Sequence, residues 1–137
     1  LSASDVYADL IGKKFKWNAC GPDEYDCWTL CREIYRRLGK RMPEFSYFID
    51  GEKKQEKSAE EFERHKGSFT RLDLPVPFCI VAFNLIPRYV SHVGIVLENN
   101  YEFIHVLKST FVVKERLDSI IWERKIAGYY EWIENCN

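Results

Sequence analysis

The sequence predicts a single domain of mixed α and β structure, and three observations carry that expectation. Apolar side chains at Cys27, Leu30, Cys31, Ile34, Tyr35 and Leu38 follow the i, i+3, i+4, i+7, i+8, i+11 series of one helical face. Two β-prone runs, Ser91 to Leu97 and Tyr101 to Val106, flank Glu98-Asn99-Asn100, a turn able to take positive φ, and read as a hairpin. At 137 residues the chain can bury one core without disulfides or metals, and no repeat, low-complexity tract or boundary divides it. Residues 1–137 are therefore expected to form one domain.

Ser4 to Ile11 reads as a short helix capped by Ser4, with Val6, Tyr7, Leu10 and Ile11 on one side and Gly12 at its end. Lys13 to Asn18 alternates Phe15 and Trp17 with lysines, as an extended segment leading into a turn at Cys20 to Pro22. The amphipathic helix opens at Cys27, because the Asp26 carboxylate can accept an orphan N–H of the first turn, and runs to about Leu38 before Gly39 stops it. Arg32, Arg36, Arg37 and Lys40 lie toward the negative end of its dipole. Arg41 to Thr70 is polar, with a turn at Asp50-Gly51 and a capping box at Ser58-Ala59-Glu60-Glu61. That box opens a short surface helix carrying His65 and ended by Gly67; the stretch is either an exposed excursion or a lid on the substrate side. Phe78 to Phe83 is a buried strand by its continuous apolar run. Beyond the hairpin, Phe111 to Val113 and Ile126 to Trp132 read as strands, with Arg116 to Trp122 as a helical turn between them.

Composition excludes several classes of function. Twenty Lys and Arg against 21 Asp and Glu leave a net charge of −1, no field for drawing in nucleic acid or an acidic membrane. The longest uncharged apolar run, Phe78 to Pro87, falls well short of the ~18 to 20 residues that span a bilayer, so a soluble protein without membrane insertion is expected. The N-terminus opens on Leu1 with no basic-then-apolar signal, as expected of a trimmed or mature chain from which any signal has been removed. Five cysteines, an odd number with no C-x-x-C pair, do not make a disulfide framework. A metal site built from Cys20, Cys27, Cys31 and a histidine has weak ligand spacing, and no cofactor is expected. Four Trp, eight Tyr and nine Phe supply either a thick core or an aromatic-lined groove, and Trp17 is a candidate for the groove.

A thiol at the start of a helix feels the positive end of the dipole, which favours thiolate and lowers its pKa. Cys27 stands there, although it is equally the top rung of an apolar stripe that continues through Cys31, and buried cysteines of that kind are inert. In a strand, His92, Gly94 and Val96 share one face. If the hairpin closes through a two-residue loop, paired residue numbers sum to an odd value and His105 joins His92 on that face. Their Cβ atoms are then ~5 Å apart if directly opposite and ~7 to 8 Å if diagonal. The pair is either structural or the base and ring-orienting partner of a cysteine nucleophile. Gly94 would leave room there for a substrate or for the helix end.

Asp26-Cys27 opening a helix, then Ser91-His92-Val93-Gly94-Ile95-Val96 and Phe103-Ile104-His105, resembles the NlpC family of cell-wall cysteine peptidases. The likeness extends to Gly12 through Asn18 and to Ile126-Ala127-Gly128-Tyr129-Tyr130. The segment Gly21 to Trp28 is similar to the variants carried by tailed phages. The resemblance implies a papain-like α+β fold, with the cysteine helix packed on an antiparallel sheet. It implies Cys27 as nucleophile, His92 as general base then acid, and His105 as the residue that orients the His92 ring. Asp26, Trp28 and Trp17 are expected on the substrate side. The implied substrate is an amide bond in peptidoglycan stem peptides, often that between D-glutamate and diaminopimelate, cleaved through an acyl-enzyme. Backbone N–H groups at the start of the Cys27 helix would hold the oxyanion. Phage tail proteins are the implied partners, and the periplasm, the cell exterior or a virion tail the implied location.

Three departures from the family pattern bear on that reading. Trp28-Thr29 stands where Ser-Gly is usual, Phe15 where Tyr is usual, and Phe78-Cys79 where a Gly-Asp turn is usual. The first two put the substrate in question. A thiol acyltransferase or amidase on another acyl donor, and a non-catalytic tail-assembly module, are the alternatives.

Overall fold

The computed structural model describes residues 2–42, 66–85 and 90–132. Its one α-helix among these residues, α1 (Cys27–Arg37), starts where the sequence places it and ends one residue earlier. The Asp26 carboxylate accepts the N–H groups of Trp28 and Thr29, while the Thr29 hydroxyl accepts the Asp26 N–H, a reciprocal cap. At the other end the Leu38 N–H bonds the carbonyls of Ile34 and Tyr35, and Gly39, at φ 78°, takes the left-handed turn.

Among the described residues eight strands accompany the helix: β1 (Lys14–Phe15), β2 (Glu24–Tyr25), β3 (Phe69–Leu72), β4 (Ile80–Phe83), β5 (His92–Val96), β6 (Glu102–His105), β7 (Val113–Arg116) and β8 (Ile126–Trp132). β1 and β2 pair in parallel; the other six form an antiparallel sheet in the order β3-β8-β4-β5-β6-β7. Alternation sorts the central strands into two faces. Ile80, Ala82, Val93, Ile95 and Ile104 bury themselves in one cluster with Leu30, Cys31, Ile34 and Tyr35 of α1. Val81, Phe83, Val96 and Phe103 pack with Leu117 and Trp122 in a second cluster.

The hairpin register is set by Ile95 opposite Ile104 and Val96 opposite Phe103. The Leu97 N–H bonds the Glu102 carbonyl across a loop of residues 98–101, so the turn has four residues rather than two. An even loop length keeps the odd sum, and the parity argument for His92 and His105 survives the longer turn. Extending the register puts Gly94 opposite His105 and His92 on the diagonal. Gly94 serves that approach rather than a substrate or the helix end: a Cβ there would lie 2.9 Å from the Ile104 carbonyl oxygen and 3.2 Å from the His105 Cβ.

Other elements differ from expectation. Ser4 to Ile11 is not one helix but two 3-10 turns, Ala3–Val6 and Ala8–Leu10, capped from Ser2 and interrupted at Tyr7, whose φ of −137° leaves the helical region. Tyr7 is held by burial and by its hydroxyl, which donates to Glu98 at 2.7 Å. β3 begins at the end of the stretch read as polar, Arg41 to Thr70, and runs two residues past it; it forms because Phe69 pairs opposite Trp132 and stacks edge-on against it at 5.0 Å. Phe78, in place of the usual Gly-Asp turn, sits at φ 63°, a conformation that disfavours a bulky residue. Its N–H to Val96 and its carbonyl, which accepts the Tyr35 hydroxyl, hold it there. The Asp50-Gly51 turn, the Ser58 capping box and the His65 helix lie outside the described residues.

Candidate active site

Cys27 is placed by the helix cap. Its loop is held in turn by Gly21, at φ 87°, where any Cβ would meet the Tyr25 ring at 2.6 Å, and by the Asn18 N–H, which donates to Asp26 Oδ2. The thiol is 3% exposed and belongs to the aliphatic cluster beneath α1, where Val93, the residue after His92, is its neighbour. Burial pushes the thiol well up from its ordinary range, reinforced by Asp26 and Cys31, while the N–H groups of Val93 and of Cys27 itself act the other way. The direction is opposite to the one the helix dipole alone predicts, because loss of water around the sulfur outweighs the dipole. The resting thiol is neutral.

On the other face of β5, His92 Nε2 lies 2.8 Å from His105 Nδ1, and both rings are buried at 3% and 1% exposure. His105 Nε2 lies 2.5 Å from Glu115 Oε2, and the same oxygen accepts the Trp122 indole N–H at 2.9 Å. Trp122 also covers the pair, stacked on His92 at 6.1 Å and edge-on to His105 at 4.9 Å, with Phe83 and Phe103 closing the remaining sides. Burial lowers the pKa of both rings, with His105 adding to the effect on His92 and Glu115 opposing it on His105. Two buried imidazoles bonded to each other and on to a carboxylate form a relay that can accept and return one proton.

Of the residues expected on the substrate side, Trp17 is half-buried, edge-on to Phe15 at 4.8 Å, and lines a shallow pocket with Lys16, Lys108 and Ser109. Trp28 is a core residue at 1% exposure, packed edge-on against Phe69. The Asp26 carboxylate is occupied by three backbone N–H groups and faces no open surface. That cap also changes the oxyanion expectation. Trp28 and Thr29 N–H go to the carboxylate and Leu30 N–H to the Asp26 carbonyl, which leaves the Cys27 N–H, set against its own sulfur, as the remaining first-turn donor. Glu115 and Trp122 were not singled out by the sequence. Glu115 falls between a predicted strand and a predicted turn, in a run, Val113-Lys114-Glu115-Arg116, without apolar alternation. No group of three or more His, Cys, Asp or Glu among the described residues is arranged to hold a metal.

A cysteine opening a helix that packs on an antiparallel sheet, with a buried histidine pair on that sheet, is a papain-like α+β arrangement. The chain belongs to the NlpC/P60 family, whose model matches residues 12–131. This is a family of cell-wall cysteine peptidases. Among solved structures the fold is similar to an NLP/P60-family lipoprotein-like protein from Staphylococcus aureus (18% identity, TM-score 0.67, 97% of this chain and 41% of that one). NlpC2 from Trichomonas vaginalis is comparable (19% identity, TM-score 0.68, 97% and 46%). The NlpC/p60 domain of the peptidoglycan hydrolase SagA matches at 16% identity and TM-score 0.55, over 85% of this chain and 91% of that one. The chain thus spans less than half the length of the first two. No match is found among curated proteins.

Proposed function

We propose that the protein is a cysteine endopeptidase that hydrolyses an amide bond in peptidoglycan stem peptides, with the D-glutamyl-diaminopimelate bond as its target. The observation that carries this reading is the hydrogen-bonded histidine pair built against the strand residue next to Cys27, in a chain of this family. In the proposed reaction His92 takes the Cys27 proton as the sulfur attacks the carbonyl carbon, and the Cys27 N–H donates to the developing oxyanion. His92 then returns the proton to the departing amine nitrogen as the carbon–nitrogen bond breaks. Water, deprotonated by the same ring, attacks the thioester carbon, and the proton passes to the leaving sulfur. His105 orients the ring. The likeness of Gly21 to Trp28 to tailed-phage variants supports a setting on a virion tail, with tail proteins as partners.

The reading is tested on stem-peptide fragments with product analysis by mass spectrometry. Turnover by the parent, abolished in Cys27→Ala and in His92→Ala with circular dichroism unchanged, supports it. Undiminished cleavage in either variant, or an inert parent, overturns it.

A further inference from the structure

The histidine pair does not end the network, and its continuation decides where its protons sit. An indole nitrogen can only donate, so Trp122 Nε1 turns Glu115 Oε2 into an acceptor aimed between itself and His105. A carboxylate accepts, so His105 Nε2 must carry hydrogen to bond it at 2.5 Å. A neutral imidazole has one N–H, which leaves His105 Nδ1 bare. The 2.8 Å contact then requires His92 Nε2 to carry hydrogen, and His92 Nδ1 is bare in its turn. Nδ1 is the ring nitrogen nearest its own backbone, and that backbone continues into Val93, whose N–H acts on the Cys27 sulfur. The chain of bonds runs one way, from a carboxylate whose side chain is 35% exposed to a bare Nδ1 on His92, the residue before the Val93 whose N–H acts on the Cys27 sulfur.

We propose that Glu115, oriented by Trp122, is a positioning residue that fixes both histidines as Nε2–H tautomers and so keeps the His92 Nδ1 lone pair ready to take the Cys27 proton. This inference deepens the peptidase reading and rests on it for the identity of the reaction. Without an acceptor at position 115, each ring is free to carry its hydrogen on Nδ1, and a His92 ring in that form offers the thiol no base.

The test is nitrogen-15 NMR of labelled histidine in a His65→Gln background, which leaves only His92 and His105 to report, recorded near pH 7.5 beside steady-state kinetics. The parent is expected to show two protonated Nε2 and two bare Nδ1 nitrogens. Glu115→Leu is expected to populate Nδ1–H in at least one ring and to lower kcat about ten- to a hundredfold with KM within about twofold. Glu115→Gln keeps an acceptor oxygen that the Trp122 N–H selects, and is expected to retain the tautomers and most of kcat. If Glu115→Leu does not fold, the double variant Glu115→Gln with Trp122→Phe replaces it. That variant frees the amide to turn its NH2 toward His105, with the same tautomer loss expected. Unchanged tautomers and kcat in the variant lacking the acceptor overturn the proposal. A parent that cleaves no stem peptide yet shows two Nε2–H rings removes the peptidase reading alone, because the tautomers are read without turnover.

Discussion

The two faces of β5 are buried to the same degree by opposite means. Val93 and Ile95 meet the apolar stripe of α1, where each side chain removed from water contributes about 1.5 to 3 kcal/mol and the Tyr35 hydroxyl is already held by the Phe78 carbonyl. One residue earlier and on the other face, His92 is as enclosed as they are. Its ring nitrogen must therefore be satisfied through His105, Glu115 and Trp122 in sequence. The first face tolerates repacking. The second is a chain in which each bond fixes the next, and it closes only because it reaches a carboxylate still in contact with water. Burial without that exit would leave a costly polar group in the core.

The sharpest way to separate the faces is pH. Burial lowers both histidine pKa values from 6.5, so below pH 6.5 the unfolded chain takes up protons that the folded one refuses. Stability is then full above pH 6.5 and falls as pH drops, by up to about 2.7 kcal/mol per pH unit while both rings stay neutral. The cysteines have the reverse sign on both faces: burial raises Cys27 and Cys31 beneath α1, and Cys79 in the second cluster, from 9.0, so stability is lost as pH rises beyond 9. Urea midpoints across pH 5 to 10 test both limbs, and His92→Ala should flatten the acid limb only.

Asp26→Ala strikes the helix face. It leaves the N–H groups of Asn18, Trp28 and Thr29 without their acceptor and is expected to cost about 2 to 4 kcal/mol in denaturant unfolding. The histidine tautomers should survive it; tautomers that shift as much as in Glu115→Leu would join what the comparison keeps apart. Gly94→Ala strikes the other face, forcing β5 from β6 where His105 stands. A loss of about 1 to 3 kcal/mol is expected, with a fall in turnover larger than stability explains. The smallest effect is expected of Trp122→Phe, which keeps a ring over the histidines and deletes one N–H, for about 1 kcal/mol. A destabilisation as large as that of Asp26→Ala would make the indole chiefly a packing residue.

What could be read in advance divides along the same strand. The helix, its Asp26 cap and its Gly39 stop follow from local chemistry, since capping and 3.6-residue periodicity involve neighbours in sequence. The histidine pair was legible because period-two alternation and loop parity are arithmetic, and a four-residue loop obeys the same parity as two. Glu115 was not, because nothing local tells a charged residue between Lys114 and Arg116 that it faces a ring ten positions back. Its meaning comes from the β6–β7 register, with Phe103 opposite Glu115 and His105 opposite Val113. The direction of the Cys27 pKa was misjudged for a similar reason: the dipole is local, whereas burial is a property of the whole fold.

β7 is also the border of the six-stranded sheet among the described residues, with Val113, Lys114 and Arg116 exposed. An open border of this kind invites a foreign strand to add itself, and alternating charge is how proteins discourage it. Glu115 belongs to that charged run while its carboxylate turns inward. Self-association through this border would lay a second backbone along Glu115 and take water from its carboxylate, so crowding at the edge and strain on the acceptor that His105 and Trp122 share would arrive together.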